Sequence, residues 1–139
     1  MSWQPLGRHA VLIPVVAALV GAAGPSLASP QSLLATYEAA GAGPFSATAG
    51  ERAWTDEHRP PGANGQRNCA TCHGTDLRKP GRHATTGKVI EPLAVSANPA
   101  RLSDPKKTER WLTRNCRWTL GRECTPQEKG DFVRLIESR

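Results

Sequence analysis

The chemistry in this chain of 139 residues is concentrated in Cys69-Ala70-Thr71-Cys72-His73. Two thiols three residues apart lie on one helical turn, and an imidazole follows at once. That spacing lets both sulfurs reach the two vinyl groups of a porphyrin while His73 comes under its iron, the attachment pattern of a c-type haem. Such an iron has a second axial position. In small electron carriers a Met often fills it, but the one Met of this chain is Met1.

Two other uses of the thiols carry less weight. Cys69, Cys72, Cys116 and Cys124 could form a four-thiolate zinc site, yet only the first pair has zinc-finger spacing. A thioredoxin-like redox pair would need a strand before the cysteines and a βαβ pattern around them, and neither is visible.

The surroundings point to export. A short basic region with Arg8 and His9 precedes an apolar run from Ala10 to about Ala23. Ser26-Leu27-Ala28 then offers small residues at the positions a signal peptidase reads. The run is short for a membrane span. We therefore expect residues 1–28 to be a signal peptide, 29–48 an N-terminal helical extension and 49–139 a monohaem cytochrome c domain. Export to a bacterial periplasm permits disulfides and removes the chain from nucleic acid.

The whole chain holds 18 Lys and Arg against 12 Asp and Glu, a formal charge of +6. A positive surface suits steering of an acidic redox partner, although a solvated face gives the same composition. A domain this small, with 5% aromatics, also buries a modest core of its own. A haem would supply a large apolar body for it to pack around.

The elements that must position the motif are helical. "SLLATYEAA" suits a short helix, broken by "GAGPFSATAG". Ala49–His58 is expected as the first helix of the domain, with Trp54 inward. Residues 74–103 show little periodicity and are expected as one long loop, with no strand anywhere. Asp104 and Pro105 mark a helix start, and Trp111, Leu112 and Cys116 form its apolar face. Thr125, Pro126 and Glu128 mark another start, a capping box, with Phe132, Leu135 and Ile136 as its buried stripe. The order helix, motif, loop, helix, helix resembles the layout of class I cytochromes c. The fold expected is all-α, class I cytochrome c-like, wrapped around one covalent haem.

From the residues alone the sixth ligand stays open. His58 ends the first helix, on the wrong side for that layout. His83, Lys79, Lys88 and Asn98 share the long loop. Asn115 sits on the helix that should cover the distal face. Pro92 is the candidate whose carbonyl orients His73, with Pro80 behind it. Trp111 and Trp118 are candidate walls, while Arg114 and Arg117 are expected to point away as surface charge.

From Arg67 to the C-terminus the sequence resembles the sphaeroides haem protein family. The most specific stretches are "RNC", Arg114–Cys116, and "GRECTPQEK", Gly121–Lys129. The resemblance implies a small periplasmic cytochrome whose iron is held by His73 and, unusually, Asn115, with a disulfide between Cys116 and Cys124. It implies that the Asn leaves on reduction, so that oxygen, nitric oxide or similar small ligands bind. It also implies a dihaem cytochrome c, or another periplasmic or membrane cytochrome, as electron donor. A plain bis-His shuttle using His83, and a diatomic-gas sensor or scavenger without turnover, are the alternatives. Whether the chain turns over a substrate is not legible.

Overall fold

A computed structural model describes residue 1 and residues 29–139. The expected signal peptide, Met1 apart, lies outside the described residues.

Local sequence sets the helix ends. Helix α4 (Pro105–Leu120) begins where the Asp104 carboxylate accepts the Lys107 N–H at 2.9 Å and Pro105 supplies a pre-set φ. It ends at Gly121, whose φ of 74° suits a residue without Cβ. Helix α5 (Pro126–Glu137) opens with the complete capping box. The Thr125 hydroxyl accepts the Glu128 N–H, and the Glu128 carboxylate accepts the Thr125 N–H. Helix α1 (Pro30–Ala39) covers the short helix expected there. Helix α2 runs Ala47–Thr55, starting two residues before the expected Ala49, because the Ser46 hydroxyl caps it by accepting the Ala49 N–H. The expected boundary between extension and domain therefore falls inside α2.

Helices α2 and α5 cross with the most extensive helix–helix contact in the described chain. Glycine permits the approach: a Cβ on Gly50 would collide with the Asp131 carbonyl. Beside the crossing, the Asp131 carboxylate accepts the Ser46 N–H at 2.7 Å. Phe132, Val133, Leu135 and Ile136 carry the buried stripe of α5, and Trp54 meets it from α2.

Helix α1 belongs to this core. Leu33, Leu34 and Tyr37 are buried in the same cluster, against α5 and α4. The Tyr37 hydroxyl donates to Glu109 at 2.6 Å, and Glu109 also receives buried Lys129. Burial, then the Glu109 hydrogen bond, pushes the Tyr37 phenol well above its ordinary range. Burial raises the Glu109 carboxyl, but bonds from Lys129 and Tyr37 outweigh it and hold the carboxyl low.

The expectation of no strand is corrected. Strands β1 (Gly81–Arg82) and β2 (Val89–Ile90) pair antiparallel as a hairpin, Gly81 opposite Ile90. Each strand has two residues, too short for alternation to register. The haem-motif turn is itself a short helix of 4 residues, α3 (Ala70–His73).

Candidate functional site

The motif turn is fixed from both sides. The Asn68 side chain accepts the Thr71 N–H at 2.8 Å and donates to the Thr55 carbonyl at 3.2 Å, joining the turn to the end of α2. The Cys69 N–H donates to the Trp54 carbonyl. Trp54 in turn donates Nε1–H to the Gly74 carbonyl at 2.9 Å. Its ring centroid lies 5.6 Å from the His73 ring and 5.9 Å from the Phe132 ring. One indole thus joins α2, the motif and α5. On the other flank, a Cβ on Gly81 would strike the Cys72 carbonyl, and Ala84 N–H donates to Cys72 Sγ at 3.3 Å. The hairpin therefore packs on the motif turn.

A cavity of about 500 Å³ opens over this turn, within the roughly 300–1,000 Å³ of pockets that enclose a whole small molecule. Cys69, Cys72 and His73 line it together with Asn115, Trp111 and Trp118 from α4, and Leu102 and Phe132 add apolar wall. The sequence separates His73 from Asn115 by 42 residues; the fold brings them to one cavity.

His73 carries the group's signature. Its Nδ1 is buried and has no hydrogen-bond partner in the described chain. Burial, aided by the positive charge of Arg101, pulls its pKa down to about 4, so the ring is neutral at physiological pH, the form that ligates a metal. Burial pushes the Cys69 thiol up to about 12, and both thiols are free. Two thiols on one turn, a neutral imidazole with an orphaned nitrogen and an apolar chamber fit a covalent haem. The zinc alternative loses its ligands, because Cys116 and Cys124 are joined as a disulfide, 5.5 Å apart at Cα. Among the described residues no cluster of three or more His, Cys, Asp or Glu could hold a metal ion.

The other candidates sort by place. Asn115 lines the cavity from α4, and its amide makes no hydrogen bond within the described chain. His83 also lines it, but from the turn between β1 and β2. There its Nδ1 accepts the Thr85 and Thr86 N–H groups at 3.3 and 3.2 Å, on the wall that holds Cys72. His58 does not line the cavity; its backbone bridges to that of Arg67. Pro92 does not line the cavity. Its carbonyl accepts from Asn98 Nδ2 at 3.3 Å and from Arg101 Nε and Nη2 at 3.1 and 2.9 Å, and the bond expected from His73 is not made. Arg114, expected to point away, lines the cavity.

Arg101 is the residue sequence reasoning missed. Its guanidinium lines the cavity, sits 5.0 Å from the Trp111 ring and has no carboxylate partner among the described residues. Burial lowers its pKa from the ordinary value. An Arg in an aperiodic loop gives no sequence signal of this kind. Arg67 lies 4.3 Å over the Trp118 ring and donates to the Trp118 carbonyl, tying the approach to the motif to α4.

Crossed first and last domain helices, a Cys-x-x-Cys-His turn beside the crossing and a chamber closed by α4 define a class I-like cytochrome c. Comparison with known proteins agrees. The family model described as Domain of unknown function (DUF1924) matches residues 40–136. The chain is 46% identical over 120 residues to the cytochrome c-type protein SHP of Cereibacter sphaeroides, covering 84% of this chain and 92% of that one. It is 38% identical over 68 residues to cytochrome c'' of Methylophilus methylotrophus, 49% of this chain and 47% of the relative. The structure of oxidized SHP, described as an oxygen binding cytochrome c, superposes with a TM-score of 0.71 at 40% identity, covering 80% of this chain and 97% of that one. Oxidized cytochrome c'' from Methylophilus methylotrophus gives 0.69 at 30% identity, with 79% and 94% covered. The chain belongs to the sphaeroides haem protein family, matched by the DUF1924 model, and is a cytochrome c-type protein with haem c as its cofactor.

Proposed function

We propose that this chain is an exported monohaem cytochrome that carries its haem on Cys69 and Cys72, holds the iron between His73 and Asn115, and releases Asn115 on reduction. The observation that carries the reading is the Asn115 amide, free of any partner in the described chain and facing the same cavity as His73. When bound, the haem supplies one-electron chemistry and a coordination position that small ligands can share.

The chain's part is to make one ligand strong and the other weak. The neutral His73 imidazole sits on a turn held by Trp54 and Asn68. A neutral amide oxygen is a hard donor, suited to the more highly charged ferric ion and poorly to the ferrous one. SHP is described as an oxygen binding cytochrome c, and the solution structure of Methylophilus methylotrophus cytochrome c'' is described as giving insight into haem-ligand detachment. Both relatives support an exchangeable position here. Oxygen or nitric oxide are the ligands we assign to it, and a dihaem cytochrome c is the donor. The bis-His alternative is disfavoured by the place of His83, whose ring is bonded to hairpin backbone on the motif side. Turnover with oxygen or nitric oxide separates a terminal acceptor from a binding protein.

The attachment is tested by producing the chain with its leader in a bacterium that matures c-type cytochromes. One haem per chain should survive denaturation and appear in the intact mass, in a periplasmic fraction. A Cys69→Ser, Cys72→Ser variant that retained haem through denaturation would contradict the reading.

A further inference from the structure

We propose that the exposed face of α4 carrying Lys106, Arg110, Arg114 and Arg117 is the docking surface for an acidic, carboxylate-rich redox protein that delivers one electron to the haem of this cavity. The proposal deepens the reading above and rests on it only in that the haem accepts electrons.

The four cations follow one another on α4 at intervals of four, four and three residues, the spacing that puts side chains on one helix face. All four are exposed. The stripe is about 16 Å long at a helical rise of about 1.5 Å per residue. The buried side of the helix, with Thr108, Cys116 and Thr119, lies opposite.

The helix gains no stability from this charge. Lys106 and Arg110, and Arg110 and Arg114, are like charges one turn apart, which repel. Lys106 stands in a first turn without an acidic residue, at the helix end that disfavours a cation. Among the described residues Lys106, Arg110 and Arg114 have no carboxylate partner, and Arg117 is paired with Glu123. The one carboxylate of α4, Glu109, is engaged by Lys129 and by the Tyr37 hydroxyl. A partner that brings carboxylates relieves the repulsion. Three of the four cations are Arg, whose planar fork takes a carboxylate through two hydrogen bonds.

The stripe also leads to the redox site. Arg114 lines both the haem cavity and an outer groove formed with Glu109, Arg110, Thr113 and Arg117. A partner seated on that groove lies at the rim of the cavity that Asn115 also lines. The arc these four cations span carries no apolar side chain, so it lacks the face that an amphipathic helix buries in a membrane. An acidic protein therefore fits it better than an anionic lipid surface. A footprint of this length suits the small interfaces of transient electron-transfer encounters. One electron passes from the reduced partner to the ferric iron, and no atom is transferred.

The test compares three holoproteins. One is wild type. A Lys106→Glu, Arg110→Glu variant reverses the stripe at two residues that do not line the haem cavity. An Arg52→Glu, Lys88→Glu control changes the net charge equally from exposed sites off α4 and off the cavity. Far-UV circular dichroism and the ferric spectrum verify each fold, and dithionite verifies that each haem accepts an electron. Reduction by an acidic flavin protein, reduced flavodoxin, is then followed by stopped flow. At low ionic strength the α4 variant should be reduced about tenfold more slowly than wild type, and the control within about twofold of it. The difference should vanish at about 1 M salt, where the Debye length is about 3 Å. An α4 variant that matched the control in rate and salt dependence would overturn the proposal, because net charge alone would then do the steering. So would a wild-type protein that sediments with phosphatidylglycerol vesicles through these residues but takes electrons from flavodoxin at the variant's rate, which would assign the face to a membrane. If dithionite failed to reduce the wild-type haem, the electron-transfer reading would fall, and this inference with it.

Discussion

At the scale of single residues, the molecule brings His73 and Asn115, the two ligands of unequal strength proposed above, to one chamber. His73 is half-buried, its pKa pulled down by burial, and held by a turn that Asn68, Trp54 and Gly81 pin from three directions. Asn115 is unbonded. Replacing it with a thioether should therefore turn the exchangeable position into a permanent one. Asn115→Met is expected to keep the ferrous protein low-spin and to abolish carbon monoxide binding, read by visible spectroscopy. Next to Asn115, the Cys116–Cys124 disulfide closes a short loop over the end of α4. The paired Cys116→Ala, Cys124→Ala variant should lose about 2–3 kcal/mol in chemical denaturation, the chain-entropy value for a loop of this size. The motif cysteines and His73 were legible because their spacing is itself the chemistry. Arg101 was not, since a loop Arg has no distinguishing pattern until the fold brings it to the cavity.

At the scale of elements, the ends of α4 and α5 were written in their first residues, Asp104-Pro105 and Thr125-Pro126, and the structure keeps both. Local hydrogen bonds decide such ends, so local sequence suffices. The start of α2 was misplaced because Ser46, its cap, stands in a Gly- and Ala-rich stretch that resembles linker. The hairpin was missed because each strand is two residues long. The capping box of α5 gives a pH prediction. A bidentate hydrogen bond and ion pair from Arg122 chiefly holds the Glu128 carboxyl at about 2, against opposing burial and with help from the Thr125 N–H. The folded pKa lies below the unfolded value of about 4.3. The stabilisation is thus full above about pH 4.3 and disappears as pH falls toward 2. Glu128→Gln should cost about 1 kcal/mol near neutrality, and the gap from wild type should close across that acid window in urea titrations followed by circular dichroism.

At the scale of the whole molecule, the helix expected as an appended extension is part of the core. Leu33, Leu34 and Tyr37 close the α4–α5 side that would otherwise present apolar surface, and the Tyr37–Glu109–Lys129 chain ties α1 to both helices. Sequence could show that α1 is helical but not what it covers, because docking depends on long-range contacts. Leu34→Ala should lower stability by roughly 2–5 kcal/mol, a core-sized loss measurable by chemical denaturation; a change of a few tenths would mean that the helix is only loosely docked. The site itself pairs a His73 held on a pinned turn with an Asn115 proposed to leave the iron. The visible spectrum of the purified holoprotein reads that asymmetry, recorded without oxygen in the ferric state, after reduction and then with carbon monoxide. A low-spin ferric spectrum that becomes high-spin on reduction and shifts promptly with carbon monoxide is the predicted result. A ferrous spectrum that stays sharp, low-spin and indifferent to carbon monoxide would contradict it.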